Sequence, residues 1–363
     1  MTVYIVLIFV ILILGLGIKP RRSRQRRKIF LILSFLLMTT ISGFRDFSVG
    51  VDTISYVYMF NNIDMINFFT SRYELGFLYF LKIIRSFTEN PTVFLLLSSA
   101  ICIGVTCRFI FKYSDDPILS VLLYITLKPF FFQMTGIRQA IAMAFVMIAF
   151  MLIMEQHKVR ETVVAIVFMI LAVQFHGMSI VAFVPFVIWL FSRLRDAIRI
   201  TPNSIVKRTL IAAVVAFIAY PYIMRLVGLI TPQYAYYFSG IWGESNYLAS
   251  LFKMLIQLVF LVVGSIYLRN LEVTEIEKFA LINIFISVII DTLSMRMEIW
   301  GRLTGMFSIY TGILFAPLFT SEVNGSKNRI ILKSSVFMFS FLYMLVTFIF
   351  RPEWDGVVPY LFK

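Results

Sequence analysis

The chain has 363 residues, of which 60% are hydrophobic and 14% are charged, and its mean hydropathy is +0.90. A soluble domain is nearer half apolar and a quarter charged, so this composition excludes an ordinary water-soluble protein. The apolar runs are long and lack the two-residue alternation of a barrel strand, which predicts an all-α polytopic membrane helix bundle. The net charge of +14 concentrates in short loops, as expected of a membrane protein, and does not indicate a nucleic-acid partner.

The first apolar run covers residues 1–18, and a loop rich in Lys and Arg follows it between residues 19 and 28. Cationic loops tend to stay in the cytoplasm, so the first span is predicted to start outside and the second, near 29–44, to return outward. Because the positive charge follows the apolar run, a cleavable signal peptide is not expected. Ten further spans are predicted, which gives the bundle about twelve membrane spans. The ten lie near 91–110, 118–132, 139–156, 161–175, 178–192, 209–228, 250–268, 279–292, 303–319 and 330–349.

Residues 74–87 form an apolar segment that is short for a membrane span. If this segment crossed the membrane alone, every later loop would change sides and the basic cluster near 193–208 would lie outside, against the charge rule. We therefore expect a re-entrant or interfacial helix on the outer side. With that choice both termini are extracytoplasmic. The chain forms a single transmembrane domain over 1–363, with the outer segment 45–90 and the outer loop 229–249 at the mouth of its site.

Ionisable residues gather in the predicted outer segments, although they are far apart in sequence. Such groups are costly at membrane depth and usually line a cavity or pathway. Arginine guanidinium groups clamp phosphate oxygens in a bidentate way, so this set is suited to a diphosphate without a metal. No P-loop, zinc-protease or nucleophile-turn motif is present. The candidate residues are Arg45, Asp52, Glu74, Arg138, Gln139, His176, Arg296 and Arg302.

Several of these residues also have a purely structural interpretation. Arg45 and Asp46 are compatible with an interfacial pair whose charged heads reach water. Asp52 is placed to cap the helix that follows it. Arg138 is compatible with an anchor at the outer end of a span, and a lone His176 in a helical turn is commonly structural. The residues alone leave both interpretations open.

Six short motifs point to one family. They are FRDFSVGVDTISY, RYELGF, IRQAIA, FHGMS, GRLTGMFSIY and the terminal PYLFK. With these motifs the chain resembles the EpsG-like, Wzy-type polysaccharide polymerases of bacterial membranes, most strongly over about residues 40–190. The resemblance implies a fold like that of multi-span lipid-sugar glycosyltransferases, located in the cytoplasmic (inner) membrane.

The family resemblance implies a reaction and its partners. A growing glycan on undecaprenyl diphosphate would move onto a new lipid-linked repeat unit at the outer face, yielding capsule, O-antigen or exopolysaccharide. The reaction needs a base for the acceptor hydroxyl and positive charge for the leaving diphosphate. Membrane lipid, a chain-length regulator and a flippase are further expected partners, and neither a cofactor nor a metal is expected. We assign the diphosphate to Arg45, Arg138, Gln139, Arg296 and Arg302, the base to His176 or Asp52, and an orienting role to Glu74.

Two other functions fit a cationic membrane site. A lipid-linked oligosaccharide flippase would show charges through the depth of the bundle and related halves, whereas the charges here gather at one face and no repeat is visible. A membrane O-acyltransferase acting on surface glycans would need a histidine deeper in the bundle, which His176 satisfies in part. The sequence favours the polymerase and leaves the other two as alternatives.

Overall fold

The fold is α-helical throughout the part of the chain that the structure describes, apart from an isolated β-bridge between Arg45 and Phe362. The described residues of this computed structural model are 1–155, 159–194, 202–230, 247–268, 273–297, 300–321 and 325–363. The helices in chain order are α1 (Thr2–Ile18), α2 (Arg24–Gly43), α3 (Thr53–Asn61), α4 (Leu75–Phe87), α5 (Pro91–Tyr113), α6 (Pro117–Thr126), α7 (Pro129–Thr135), α8 (Ile137–Glu155), α9 (Val159–Phe175), α10 (Phe183–Leu194), α11 (Pro202–Ile230), α12 (Tyr247–Tyr267), α13 (Glu275–Ser294), α14 (Gly301–Tyr310), α15 (Ala316–Ser321) and α16 (Ser326–Phe350).

Within these ranges six helical segments are long and apolar enough to cross a membrane, and the bent pair α6–α7 would make seven. Two shorter apolar helices, Thr2–Ile18 and Gly177–Phe191, fall below the length of a full span. The predicted all-α polytopic membrane bundle is therefore confirmed, whereas the count of about twelve spans stays a prediction. The six segments are Pro91–Tyr113, Ile137–Met154, Ser204–Leu226, Tyr247–Tyr267, Gly301–Ser321 and Ser326–Phe350.

The chain divides into two compact units, the first made of Met1–Phe183 and Ile330–Lys363 and the second of Val184–Arg329. In the first unit α8 packs against both α5 and α9, and α5 packs against α2. Alanine side chains of α8, including Ala142 and Ala149, are fully buried, and such small residues allow membrane helices to approach closely. The single transmembrane domain expected from the sequence stays a prediction.

The span expected near 118–132 is not continuous, because α6 and α7 meet at a bend of 48°. Lys128 lies at the break with φ of +82°, directly before Pro129. A residue that precedes proline is forced out of the helical region, so the helix stops here. The Lys128 Nζ contacts Asp355 Oδ2 at 2.6 Å, which ties the break to the C-terminal residues.

The two ends of the first unit each bring together loops that are distant in sequence. At one end, Asp116 contacts Lys333 at 2.6 Å and Arg21 at 3.6 Å, so three loops predicted to be cytoplasmic meet; we name this the Asp116 end. At the other end, Arg45 donates to the Met134 carbonyl at 2.9 Å, which joins two predicted outer segments. We name it the Glu74 end, after the residue at the centre of its polar cluster.

In the second unit α13 packs against α11, α12 and α14, and its residues from Phe279 to Ile284 are buried without a break. This helix therefore forms the centre of the unit. Its first turn is fixed by a capping box, in which Thr274 and Glu277 bond each other's backbone N–H groups. Most of the outer loop predicted at 229–249 lies outside the described residues.

Candidate active site

A carboxylate at the Glu74 end is held between a guanidinium and a helix-ending turn. Glu74 Oε2 accepts from Arg138 Nη1 at 2.5 Å, and Glu74 Oε1 accepts from the Gly177 backbone N–H at 2.7 Å. His176 Nδ1 lies 3.9 Å from the same Oε1 atom. About one fifth of each of the three side chains is exposed, at 21% for Glu74 and 20% for Arg138 and His176. These groups are thus sheltered but still accessible.

The sequence places Glu74 here through a close approach of two helices. Glu74 is the residue before α4 and has an extended backbone, so its side chain lies at the helix start. Two residues later, a Cβ atom on Gly76 would lie 2.8 Å from both the Cβ and the carbonyl oxygen of Gln174 in α9. Glycine at this position lets α4 approach the end of α9, and Glu74 thereby reaches the turn that follows.

Arg138 enters the cluster from the first turn of α8, which follows α7 after a single residue, Gly136. Its Cζ atom lies 4.7 Å from the centre of the Tyr73 ring and 5.9 Å from that of Phe77. Guanidinium groups bind favourably over aromatic faces, particularly where water is excluded. Two rings and one carboxylate therefore fix the orientation of this cation.

His176 ends α9 and begins the 3-10 turn Gly177–Ala182. Its N–H donates to the Ala172 carbonyl at 3.0 Å, and its own carbonyl accepts from Ser179 N–H at 2.8 Å. The backbone of the histidine is therefore bonded on both sides. Because 3.9 Å exceeds hydrogen-bonding distance, Glu74 is an electrostatic neighbour of the imidazole in this structure.

Two tyrosines complete this group, and sequence reasoning had not selected either as a site residue. Tyr56 of α3 is only 4% exposed and interacts with Arg138, Asp52 and Tyr73. Burial raises the pKa of Tyr56, although its hydrogen bond to Arg138 acts in the opposite direction. The spacing of four residues between Asp52 and Tyr56 was the available signal, since it places both on one face of a helix.

We name Tyr56, Tyr73, Glu74, Arg138 and His176 the Glu74 cluster. It joins an anion-binding guanidinium, a carboxylate and an imidazole in one sheltered, aromatic-lined place. Positive charge is thereby available for a leaving anion, and two groups with proton-accepting atoms lie beside it. Among the described residues, no group of three or more His, Cys, Asp or Glu side chains is arranged to hold a metal ion.

The chain was compared with models of known protein families. The sequence model of the EpsG family matches residues 28–362, which is nearly the whole chain. The chain belongs to the EpsG family. No curated protein and no solved structure matches it. Membership of the EpsG family indicates a role in polysaccharide biosynthesis, and the matched range contains every residue of the Glu74 cluster.

Arg45 of this EpsG-family chain has a different environment from the one expected. It is 1% exposed, and its guanidinium donates to the carbonyls of Val49, Ser42 and Met134 and to the Thr53 hydroxyl. Burial lowers the pKa of Arg45 to about 10. The exposed Arg45–Asp46 pair considered from the sequence is therefore wrong, because a head group that reaches water cannot be buried. These bonds also argue against direct contact between Arg45 and a diphosphate.

Gly50 makes the close packing around Arg45 possible. Its φ is +95°, and a Cβ atom there would lie 2.6 Å from both the Met134 carbonyl oxygen and the Thr53 hydroxyl. A positive φ with no room for a side chain explains why the FRDFSVGVDT motif carries glycine at this position. Asp52 follows two residues later at the start of α3, and its side chain makes no capping bond there, so the capping interpretation is wrong.

The C-terminal residues of the EpsG-family chain bind the same outer segment. Gly356 accepts from Gly50 N–H at 2.7 Å, and Leu361 accepts from Asp46 N–H at 2.8 Å. The Tyr360 hydroxyl donates to the Ile41 carbonyl at 2.7 Å. The terminal PYLFK motif therefore holds the loop that contains Arg45 and Asp52.

The remaining predicted site residues are not among the partners of the Glu74 carboxylate described above. Gln139 follows Arg138 in α8 and is 6% exposed. In the second unit, the Arg296 guanidinium lies 4.2 Å from the centre of the Phe217 ring, and Arg302 is exposed in the first turn of α14. The convergence of Arg296 and Arg302 with the Glu74 cluster stays a prediction.

Proposed function

We propose that this EpsG-family protein polymerises oligosaccharide repeat units carried on undecaprenyl diphosphate, at the outer face of the bacterial cytoplasmic membrane. The product would be a capsule, O-antigen or exopolysaccharide chain. The observation that carries the proposal is the Glu74 carboxylate held between Arg138 and the His176–Gly177 turn. Family membership, and the chemistry that glycosyl transfer from a diphosphate requires, support it.

In the proposed reaction a hydroxyl of the new repeat unit attacks the anomeric carbon of the growing glycan. A carbon–oxygen bond forms there, the bond to the diphosphate oxygen breaks, and the lipid diphosphate leaves with the bonding electrons. The proton of the attacking hydroxyl passes to a base. We assign this role to His176 and retain Asp52 as the alternative base, because Asp52 lies close enough to Tyr56 to act on its hydroxyl electrostatically.

Glu74 orients the proposed base. One of its oxygens is fixed by the Gly177 N–H and lies 3.9 Å from His176 Nδ1. A small movement on substrate binding would close this gap to a hydrogen bond, as catalytic contacts commonly tighten in the reacting complex. The carboxylate would then stabilise the imidazolium that forms when the proton is taken.

Arg138 binds the leaving diphosphate in this proposal. Arginine has five N–H donors in a planar fork, and Glu74 uses one of the terminal nitrogens. Tyr56 also bonds this guanidinium, so a phosphate oxygen would join or replace these partners, and the positive charge stabilises the charge that develops on the leaving oxygen. Gln139, Arg296 and Arg302 are further proposed contacts of the lipid-linked substrate. Arg45 becomes a positioning residue, since its donors hold the loop that carries Asp52.

Genetic complementation with His176→Ala tests the proposal. In a strain that lacks the chromosomal copy, we expect the variant to reach normal membrane levels yet leave lipid-linked single repeats accumulating at the outer face. A loss of about 10²–10³ in the rate of chain extension is expected for a group that acts on the transition state. His157→Ala, the only other histidine of the chain, is the control and should restore full-length polymer.

The same assay separates the other functions. Single repeats retained inside the cell would indicate a flippase, and polymer of normal length lacking a modification would indicate an acyltransferase. Normal chain length with His176→Ala would contradict a role for this imidazole as base.

A further inference from the structure

A seam of buried polar side chains runs between three helices of the second unit. The polar positions recur at intervals of three, four and seven residues, which places them on one face of each helix. Such residues are expensive inside an apolar bundle and are commonly functional there. On α12 they are Ser250, Lys253 and Gln257; on α13 they are Ser287, Asp291 and Ser294; on α14 and the π-helical turn after it they are Thr304 and Thr311.

Hydrogen bonds link these side chains across the helices. The Thr304 hydroxyl donates to Asp291 Oδ1 at 2.7 Å, and the Thr311 hydroxyl donates to Gln257 Oε1 at 2.6 Å. The Ser250 hydroxyl donates to the carbonyl of Ser294 at 3.1 Å. The turn at Thr311 is a π-helix, a rare form that is frequent at functional sites. The three helices are thus joined by polar contacts.

Asp291 is the exceptional member of the seam. The residue is fully buried, and within the described chain its Oδ2 atom has no hydrogen-bond partner. A buried carboxylate with an unused oxygen is strongly disfavoured, and such a group tends to take up a proton instead. The positive charge of Lys253 acts in the other direction and favours the ionised form.

The Lys253 side chain lies close to Gly301, the first residue of α14. A Cβ atom on Gly301 would lie 3.8 Å from Lys253 Nζ and 3.7 Å from Ser294 Cβ. The lysine is part-exposed, whereas Asp291 is fully buried.

We propose that Asp291 is a proton-binding site of the second unit, with Lys253 as its charge partner. In the protonated state the Asp291 carboxyl is neutral. On release the proton passes to water, and the carboxylate that remains is stabilised by the Lys253 ammonium and the Thr304 hydroxyl. This site is distinct from the glycosyl transfer proposed above and does not depend on it.

The proton is favoured over a metal cation on electrostatic grounds. A nearby ammonium repels a cation but stabilises the carboxylate left after proton release. Oxygen-rich cages suit metal cations, and in the part of the chain that is described no such group of carboxylates, cysteines or histidines is present.

Other titratable groups lie on the helices that pack against α13, and their charges bear on the titration of Asp291. Within the described part, Lys253 is the charged group whose field acts on the Asp291 carboxyl. Glu298 lies outside the described residues. The titratable groups on the helices packed against α13 are Lys207, Arg208, Tyr220, Tyr222 and Arg225 on α11, Tyr247, Lys253 and Tyr267 on α12, and Arg302 and Tyr310 on α14, with Arg296 directly after α13.

Infrared difference spectroscopy of the full chain in lipid membranes tests the proposal, because the carbonyl stretch of a protonated carboxyl is separate from carboxylate bands. We expect a band that disappears as the pH is raised and that is missing in Asp291→Asn. Lys253→Met should move the midpoint upward by about one pH unit or more, because the ionised form loses its partner. Thr304→Val, which removes one hydrogen bond, should move it upward by less.

Three results would overturn the proposal. One is a band that is identical in wild type and Asp291→Asn at every pH, since Asp291 would then stay ionised. Another is an Asp291 band that never changes with pH, since the carboxyl would then be a permanently protonated structural group. The third is a shift of the midpoint on replacing choline with sodium at constant ionic strength, which would indicate a cation site. Because the readout is spectroscopic, it is independent of polymerase activity.

Discussion

The two ends of the first unit are built on the same chemical theme, one carboxylate with two basic side chains beside it. At the Asp116 end the carboxylate is 8% exposed, and its neighbours are Lys333 and Arg21. At the Glu74 end the carboxylate is 21% exposed, and its neighbours are Arg138 and His176. The sets resemble each other, but the second basic group at the Glu74 end is an imidazole, and the Glu74 carboxylate is the more exposed of the two.

The difference lies in the surroundings of the two carboxylates. Asp116 Oδ1 accepts from the Leu119 N–H at the start of α6, and Oδ2 binds Lys333 from α16. Both oxygens therefore join helices. The Glu74 oxygens also bind α8 and the turn after α9, but this carboxylate is 21% exposed and the Tyr73 ring lies beside its arginine, so a substrate group can join them. A similar set of residues thus serves structure at one end and is suited to chemistry at the other.

The largest effect is expected from Arg138→Ala, which removes the guanidinium of the Glu74 end. Chain extension should fall by about 10²–10³, since one lost charged contact to a developing anion has that size. The rate per folded molecule is measured with lipid-linked repeat units in reconstituted membranes.

Arg85→Ala is the matched control for this comparison. Arg85 also pairs with a glutamate, Glu89, at 3.4 Å, but that carboxylate is 86% exposed. Surface pairs of this kind contribute about 0–1 kcal/mol. Equal losses in Arg85→Ala and Arg138→Ala would show that the Glu74 end is not special.

Asp116→Ala should act on stability and leave the rate per folded molecule unchanged. Removal of the carboxylate leaves Lys333 and Arg21 without their shared partner. We expect the free energy of unfolding to fall by about 3 kcal/mol, which is at the low end for buried pairs because both cations are part-exposed. The thermal unfolding midpoint in detergent measures this loss. Asp115→Ala changes the exposed neighbouring carboxylate and should have a much smaller effect. A fall in turnover without a fall in stability would reverse the assignment of the two ends.

Gly50→Ala tests how tightly the loop at the Glu74 end is packed. We expect a destabilisation of about 1–3 kcal/mol, because the new Cβ atom would meet the Met134 carbonyl and Thr53. Gly325→Ala shares the positive φ but has open space, its nearest contact being 3.8 Å away. Comparison of the two unfolding midpoints isolates crowding from backbone strain, and equal shifts would mean that crowding contributes nothing.

Tyr360→Phe is expected to have the smallest effect. It removes the hydroxyl that donates to the Ile41 carbonyl at 2.7 Å, which contributes about 1 kcal/mol. Tyr58→Phe on an exposed tyrosine is the control. If the unfolding midpoints of both variants equal that of wild type, the C-terminal residues do not hold the outer segment through this bond.

Sequence reasoning found much of the Glu74 end, because charge and hydropathy are local properties of the chain. Membrane helices and the sorting of cationic loops sufficed to predict that residues near 45, 74, 138 and 176 share one end, and the structure joins Glu74, Arg138 and the His176–Gly177 turn. From the sequence, Tyr56 was visible only as part of a motif. Its place in the cluster depends on contact with Arg138, which follows 82 positions later in the chain.

Other features depended on long-range packing that no local pattern carries. Whether Arg45 reaches water or is buried is decided by the Met134 carbonyl, on a different helix. The break at Lys128 had a signal in the following proline, yet the apolar run around it favoured a continuous span. Asp291 was overlooked because it lies within an apolar run, and its seam appears only when α12, α13 and α14 are packed together.

The most direct test of the central claim, that the Glu74 cluster carries out glycosyl transfer, compares two glutamate variants in reconstituted membranes supplied with a lipid-linked repeat unit. Each of the substitutions Glu74→Gln and Glu89→Gln removes one carboxylate charge beside an arginine. The account predicts that Glu74→Gln slows chain extension by about tenfold or more while Glu89→Gln extends chains at the wild-type rate. Wild-type rates for both variants would contradict it.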